Sequence, residues 1–97
     1  MTDNIKVLAK VNSDDSSRYV IIDDNIVEVS VDSDDFGLFP KVEPQWELGE
    51  VELSPEYESL SVGDTAEIVK AQDNPLLSGL ELIEGTKLEV VLTIDSF

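Results

Sequence analysis

The chain has 97 residues, 22 of them acidic and six basic, for a formal net charge of −16, and that length leaves room for one domain and one hydrophobic core. It contains no histidine and no cysteine, which removes the usual general base near neutral pH, activated-thiol chemistry and any disulfide framework. Direct binding to DNA, RNA or anionic lipid is disfavoured as well, because so few cations release few counterions and the long-range field repels a polyanion.

The N-terminus, Met1-Thr2-Asp3-Asn4, is acidic and reaches apolar alternation at once, unlike a secretory signal. No stretch is long enough to span a bilayer as a helix, and a cytoplasmic setting is expected. Ile5, Val7, Ala9 and Val11 alternate with Lys6, Leu8 and Lys10, the period of a strand with one buried face. The polar run 12–17 ends it. Residues 18–22 and 26–31 flank Asp23-Asp24-Asn25 and read as a hairpin, since Asp and Asn tolerate left-handed backbone in tight loops. Residues 32–45 carry Gly37, Pro40 and Pro44 without a clear period and are expected to form a long loop, with Phe36, Leu38 and Phe39 folded back over the core.

Residues 46–53 form a strand whose apolar parity flips: Trp46 and Leu48 share one phase, Val51 and Leu53 the other, and a bulge at Gly49 accounts for the flip. Pro55 ends that strand. A turn at Ser61-Val62-Gly63-Asp64 leads into a strand over 65–71. Asn74-Pro75 supplies a cap followed by proline at the first helical position, with Leu76, Leu80 and Ile83 spaced about one helical turn apart. Glu84-Gly85-Thr86 turns the chain into a last strand over 87–95, whose Leu88, Val90, Leu92 and Ile94 form one apolar face. The whole chain, 1–97, thus reads as a single acidic β domain. It is all-β and mainly antiparallel, a small barrel or sandwich with one short helical turn near 75–80.

Little catalytic equipment is present, and a non-enzymatic role is expected, with no cofactor. Gly63-Asp64-Thr65-Ala66 is a partial match to the aspartic-protease signature, but Ala66 replaces its final glycine and a turn precedes it, so Asp64 reads as a turn residue. Asp32, Asp34, Gly37 and Glu43 occupy the first, third, sixth and twelfth positions of a calcium loop. Phe36 stands at a required ligand position and the flanks are not helical, which leaves Asp32, Asp34 and Glu43 as weak metal candidates in a solvated acidic loop. The pairs Asp14-Asp15 and Asp23-Asp24 read as turn residues. No glycine-rich phosphate loop occurs.

Leu60-Ser61-Val62-Gly63-Asp64-Thr65-Ala66-Glu67-Ile68, then Leu76-Leu77-Ser78-Gly79-Leu80, then Glu84-Gly85-Thr86-Lys87-Leu88-Glu89-Val90-Val91 resembles the first half of FeoA-like SH3-type barrels. In that family a Gly-Asp turn opens one strand, a Leu-Leu-x-x-Gly-like helical turn follows, and a Gly-Thr turn opens the next. The resemblance covers about the last third of the chain. It implies an SH3-like barrel with a docking role and assigns no site residues.

The acids are unevenly placed. Between Lys41 and Lys70 there is no basic residue, while Glu43, Glu47, Glu50, Glu52, Glu56, Glu58, Asp64 and Glu67 fall there. Outward residues two apart on a strand lie about 6.5 to 7 Å apart, so such a row imitates a line of phosphates. The leading expectation is therefore a binding protein that docks on a basic, nucleic-acid-binding partner as a DNA-mimic inhibitor does, with these eight carboxylates as its contacts. The competing expectation is a module of a larger assembly, such as a phage particle or membrane-protein complex, anchored by Phe36, Phe39 and Trp46. A calcium-dependent domain ranks third, and solubility or a salty environment explains the charge with no partner at all.

Overall fold

The computed structural model describes residues 5–14, 16–32 and 41–94. Its strands are β1 (Ile5–Lys10), β2 (Arg18–Ile22), β3 (Asn25–Asp32), β4 (Lys41–Ser54), β5 (Thr65–Ala71) and β6 (Lys87–Ile94), with a 3-10 turn at Tyr57–Ser59 and a helix α1 at Pro75–Gly79. Each strand pairs antiparallel with the next, and β1 also pairs with β6 from Ile5↔Ile94 to Lys10↔Leu88. The meander therefore closes into a six-stranded barrel.

All six strands contribute to the interior: Leu8, Tyr19, Ile21, Ile26, Leu48, Val51, Ala66, Ile68, Leu88 and Val90 form one buried cluster with Leu60, Leu77 and Leu82. A smaller cluster of Val7, Val20, Val29 and Val42 packs with Ile5, Val31, Leu92 and Ile94 around it. Val7 and Leu8 are adjacent in sequence yet both fully buried, so β1 packs on both faces, where the sequence predicts one. Alternation places Lys6 and Lys10 on the side of Leu8. Their ammonium groups are not left in the core: Lys6 Nζ donates to the Tyr57 carbonyl at 2.6 Å and Lys10 Nζ to the Leu80 carbonyl at 3.0 Å. The aliphatic stems flank Leu8 while the charged tips reach backbone acceptors at either end.

Bulges decide which residue serves which cluster. Val7 pairs with Leu92 and Leu8 with Val90, so Val91 is an extra residue in β6. It divides the single apolar face expected for β6, sending Leu88 and Val90 inside and Leu92 and Ile94 to the smaller cluster. In β4 the steps Ile26↔Gly49 to Val27↔Glu47, and Glu28↔Trp46 to Val29↔Pro44, leave Leu48 and Gln45 as extra residues. The parity flip predicted near Gly49 thus has its cause in a bulge at Leu48, which is 2% exposed. Residues 41–45, expected within the long loop, are instead the start of β4. Pro44 beside the Gln45 bulge hides the alternation, and bulges are where a sheet tolerates proline.

The helix begins as predicted, with Asn74 Oδ1 accepting from the Leu76 amide at 2.9 Å and Pro75 in the first turn. It is shorter than the Leu76/Leu80/Ile83 spacing implies. Leu82 N donates to Leu77 O at 2.8 Å and Glu81 N to Ser78 O at 3.1 Å, with Glu81 at φ 59°, the paired bonds of a Schellman stop. Leu77 and Leu82, the residues that make this motif's apolar contact, are the buried ones, while Leu76 and Ile83 are exposed. A Cβ at Gly49, φ +154°, would meet Leu77 Cδ1 at 2.8 Å, so glycine is what lets α1 close over β4.

Two substitutions test this packing. Gly49→Ala is expected to destabilise the protein by about 2 kcal/mol, and Glu81→Gly to stabilise it by about 1 kcal/mol because glycine adopts left-handed backbone freely. Chemical denaturation of both variants measures the two effects.

Candidate functional site

The β2–β3 turn is built from the two aspartates alone. Ile22 pairs with Asn25, leaving Asp23 (φ 50°) and Asp24 (φ 66°) as a two-residue loop. This left-handed pair is the signature of a type I′ turn, which Asn-Gly fills most readily. Asn25, expected in the turn, opens β3. The Asp24 carbonyl accepts from the Val51 amide at 3.0 Å, which pins the turn beside β4.

Around this turn lies an open cleft of about 590 Å³, lined by Asp23, Asp24, Glu52, Glu56 and Glu58 over a floor that includes Ile21, Leu53, Tyr57 and Val69. A second hollow of about 290 Å³ shares Asp23, Asp24, Val51 and Glu52 with it and adds Glu50, Gln72 and Lys70. Six exposed carboxylates therefore rim one continuous surface, and among the described residues Lys70 is the basic side chain that lines it. It faces Glu52 across the β4–β5 ladder.

Tyr57 anchors the floor. Its hydroxyl donates to the Lys6 carbonyl at 3.0 Å and accepts from the Lys6 amide at 2.9 Å, and Lys6 Nζ lies 5.0 Å from the ring centroid. Burial pushes the Tyr57 phenol up from its ordinary value, against the opposing pull of hydrogen bonds with the backbone of Lys6 and Ile21. The connection that carries Glu56 and Glu58 is thereby tied across the barrel end to β1. Ser54 and Pro55, where β4 stops, are joined by a cis peptide.

The structure divides the eight carboxylates singled out in the sequence. Glu50, Glu52, Glu56 and Glu58 meet in the cleft. Glu47 lies further along β4, in a groove beside α1, and Glu43 lies beyond it, opposite Ser30. Glu67 faces Lys87 on β6. Asp64 accepts from the Ser61 amide at 2.8 Å through Oδ2 and holds the turn before β5. Asp23 and Asp24, read in the sequence only as turn residues, belong to the cleft. Their signal was the turn itself, since a tight hairpin beside the acidic half of β4 brings its tip next to Glu50 and Glu52.

Of the aromatic anchors, Trp46 is 63% exposed, while Phe36 and Phe39 lie outside the described residues, as does Asp34. Asp32 closes β3 in register with Lys41, and Glu43 sits within β4, so the last positions of the calcium-loop pattern fall on a paired strand. Among the described residues no group of three carboxylates is placed to hold a metal ion, and no helix is long and apolar enough to cross a membrane.

No protein-family model, curated protein or solved structure matches the chain. Gly63-Asp64 and Gly85-Thr86 directly precede β5 and β6, and residues 76–79 fall within α1.

The Tyr57 clamp yields a measurable effect. Tyr57→Phe is expected to cost about 1 to 2 kcal/mol, because Lys6 loses a hydroxyl partner in a partly buried setting. A phenol raised in the folded state stabilises fully below the unfolded value of 10.0 and loses that contribution as pH rises through the folded value. Urea titrations near neutral pH and above about pH 10 should therefore show the two proteins' stabilities converging at the alkaline end.

Proposed function

We propose that this protein is a non-enzymatic acidic binding protein that docks on a basic surface of a partner macromolecule. The partner class that fits is a nucleic-acid-binding protein, whose cationic site these carboxylates occupy in place of phosphates, as a phage- or mobile-element-encoded DNA-mimic inhibitor does. The observation that carries this reading is the gathering of Asp23, Asp24, Glu50, Glu52, Glu56 and Glu58 around one continuous cleft.

Two physical points support it. Like charges held this close repel one another and work against the compact state, so their concentration at one barrel end is more economically explained by a cationic partner than by solubility, which an even spread would serve. The type I′ turn adds to this, since Asp23 and Asp24 hold left-handed backbone where Asn-Gly folds more readily. Three of the six basic residues direct cationic nitrogens at main-chain carbonyls: Lys6 to Tyr57, Lys10 to Leu80, and Arg18 to Ser16 and Ser17. Of these, Lys6 sits beside Tyr57 at the cleft floor, and with Lys70 on the rim it is outnumbered by the six carboxylates.

One observation favours the second reading, a module of a larger assembly: Trp46 is a large aromatic side chain left mostly in water, the kind of residue that anchors interfaces.

The leading reading predicts that an immobilised arginine- and lysine-rich DNA-binding domain captures the protein. Capture should weaken at least about tenfold between about 50 and about 200 mM salt, and duplex DNA should compete for the same site. The quadruple variant Asp23→Asn, Asp24→Asn, Glu50→Gln, Glu52→Gln should bind about tenfold or more weakly while melting at a higher temperature than the parent, because self-repulsion is relieved. Salt-insensitive capture, or capture unchanged by the four substitutions, contradicts the reading.

A further inference from the structure

The groove between β4 and α1 is a separate feature of about 630 Å³. It is lined by Glu28, Trp46, Glu47, Pro75, Leu76 and Leu80 among others. Its central residue is placed there by backbone geometry. Trp46 and Glu47 lie between the two β4 bulges, at Gln45 and Leu48. Glu28 and Ile26 share one face of β3, so Trp46, opposite Glu28, lies on the face that Leu48 enters as the bulged residue opposite Ile26, but further along the strand, where it stays in water at 63% exposure. Across the ladder Trp46 pairs directly with Glu28, and Glu47 is its chain neighbour. Leu76, 54% exposed, stands on the α1 side.

An indole face beside two carboxylates, with an apolar wall opposite, has the chemistry of a receptor for a cation on an aliphatic stem. The ring quadrupole attracts the cation, Glu28 and Glu47 neutralise it, and Pro75, Leu76 and Leu80 take the methylenes. We propose that this groove seats a single arginine side chain of the basic partner protein, with its guanidinium over Trp46. Arginine is favoured over lysine because its planar cation stacks on an aromatic face and is less strongly hydrated. The assignment rests on the acidic-binding reading above and adds to it a defined anchor away from the cleft. The charge complementarity is local: Glu28 and Glu47 are both in the groove, while no Lys or Arg among the described residues lines it.

Trp46 is the sole tryptophan, so its emission reports on the groove alone. The test titrates the full chain with a short arginine-containing basic peptide, and with the same peptide carrying citrulline in place of that arginine, a neutral near-isostere. The expected result is a saturable change in Trp46 emission with the arginine peptide and little with the citrulline one. Trp46→Leu and Glu28→Gln should each weaken arginine-peptide binding by about three- to fivefold, and Trp46→Phe, which keeps an aromatic face, by less than Trp46→Leu. If the arginine peptide binds in a salt-dependent way but leaves Trp46 emission and the Trp46→Leu affinity unchanged, the groove assignment is overturned and the acidic-binding reading stands. An equal response to the citrulline peptide also overturns it, leaving an apolar contact. Absence of any salt-dependent binding of the basic peptide overturns the broader reading and this one with it.

Discussion

Closing a sheet of only six strands is the constraint on which the rest of this molecule depends. A barrel's diameter grows with its strand number, and eight strands already enclose little more than their own side chains. With six, the interior admits few residues and the strands must bend sharply. Extra residues at Val91 in β6, at Gln45 and Leu48 in β4, and at Val69 in β5 interrupt the ladders at the register shifts and bend and twist them locally. Because each also shifts side-chain parity, strands rich in Val, Ile and Leu can supply both a barrel interior and a second apolar cluster on the other side of the sheet. The ends of the interior are closed by Tyr57 and Leu60 on one side and by Leu77, Leu80 and Leu82 on the other. The two inward lysines of β1 are tied to backbone carbonyls at those ends.

The same geometry sorts the charge. A closed barrel has no free sheet edge to guard, so edge protection does not explain acids on β4 and its flanking turns. Antiparallel neighbours bring the β2–β3 turn, the C-terminal half of β4 and the 3-10 turn to one end of the molecule, and all three are acidic. Among the other described carboxylates, Glu67 sits across from Lys87, and Asp64 works as a turn residue. Among the described residues, six carboxylates gather at that end, although not as the single eight-residue row that the sequence suggests.

Much of the fold was legible because it is written in local chemistry. Alternating β-branched residues marked the strands, Asp23-Asp24 marked the tightest turn, and Asn74-Pro75 marked the helix start. The hidden parts depend on tertiary pairing. Residues 41–45 became strand because β3 offers them a partner, despite Pro44. Leu77 rather than Leu76 entered the core because a left-handed Glu81 stops the helix early, a conformation sequence statistics would assign to glycine. Lys6 and Lys10 marked a solvent face by residue type, yet their stems line the barrel interior. The cleft was half legible: Glu50, Glu52, Glu56 and Glu58 stood out as a run without cations, while Asp23 and Asp24 joined them only through the hairpin's position beside β4.

The central claim is that this acidic end, and not the average charge of the molecule, is what a basic partner recognises. Its most direct test is a residue-resolved amide chemical-shift titration of the protein with a DNA-binding domain at low salt. The account predicts perturbations concentrated at residues 22–25, 50–58 and 70–72, fading together as salt is added. Perturbations spread evenly around the barrel, or centred on β5 and β6 near Glu67 and Glu89, would contradict it.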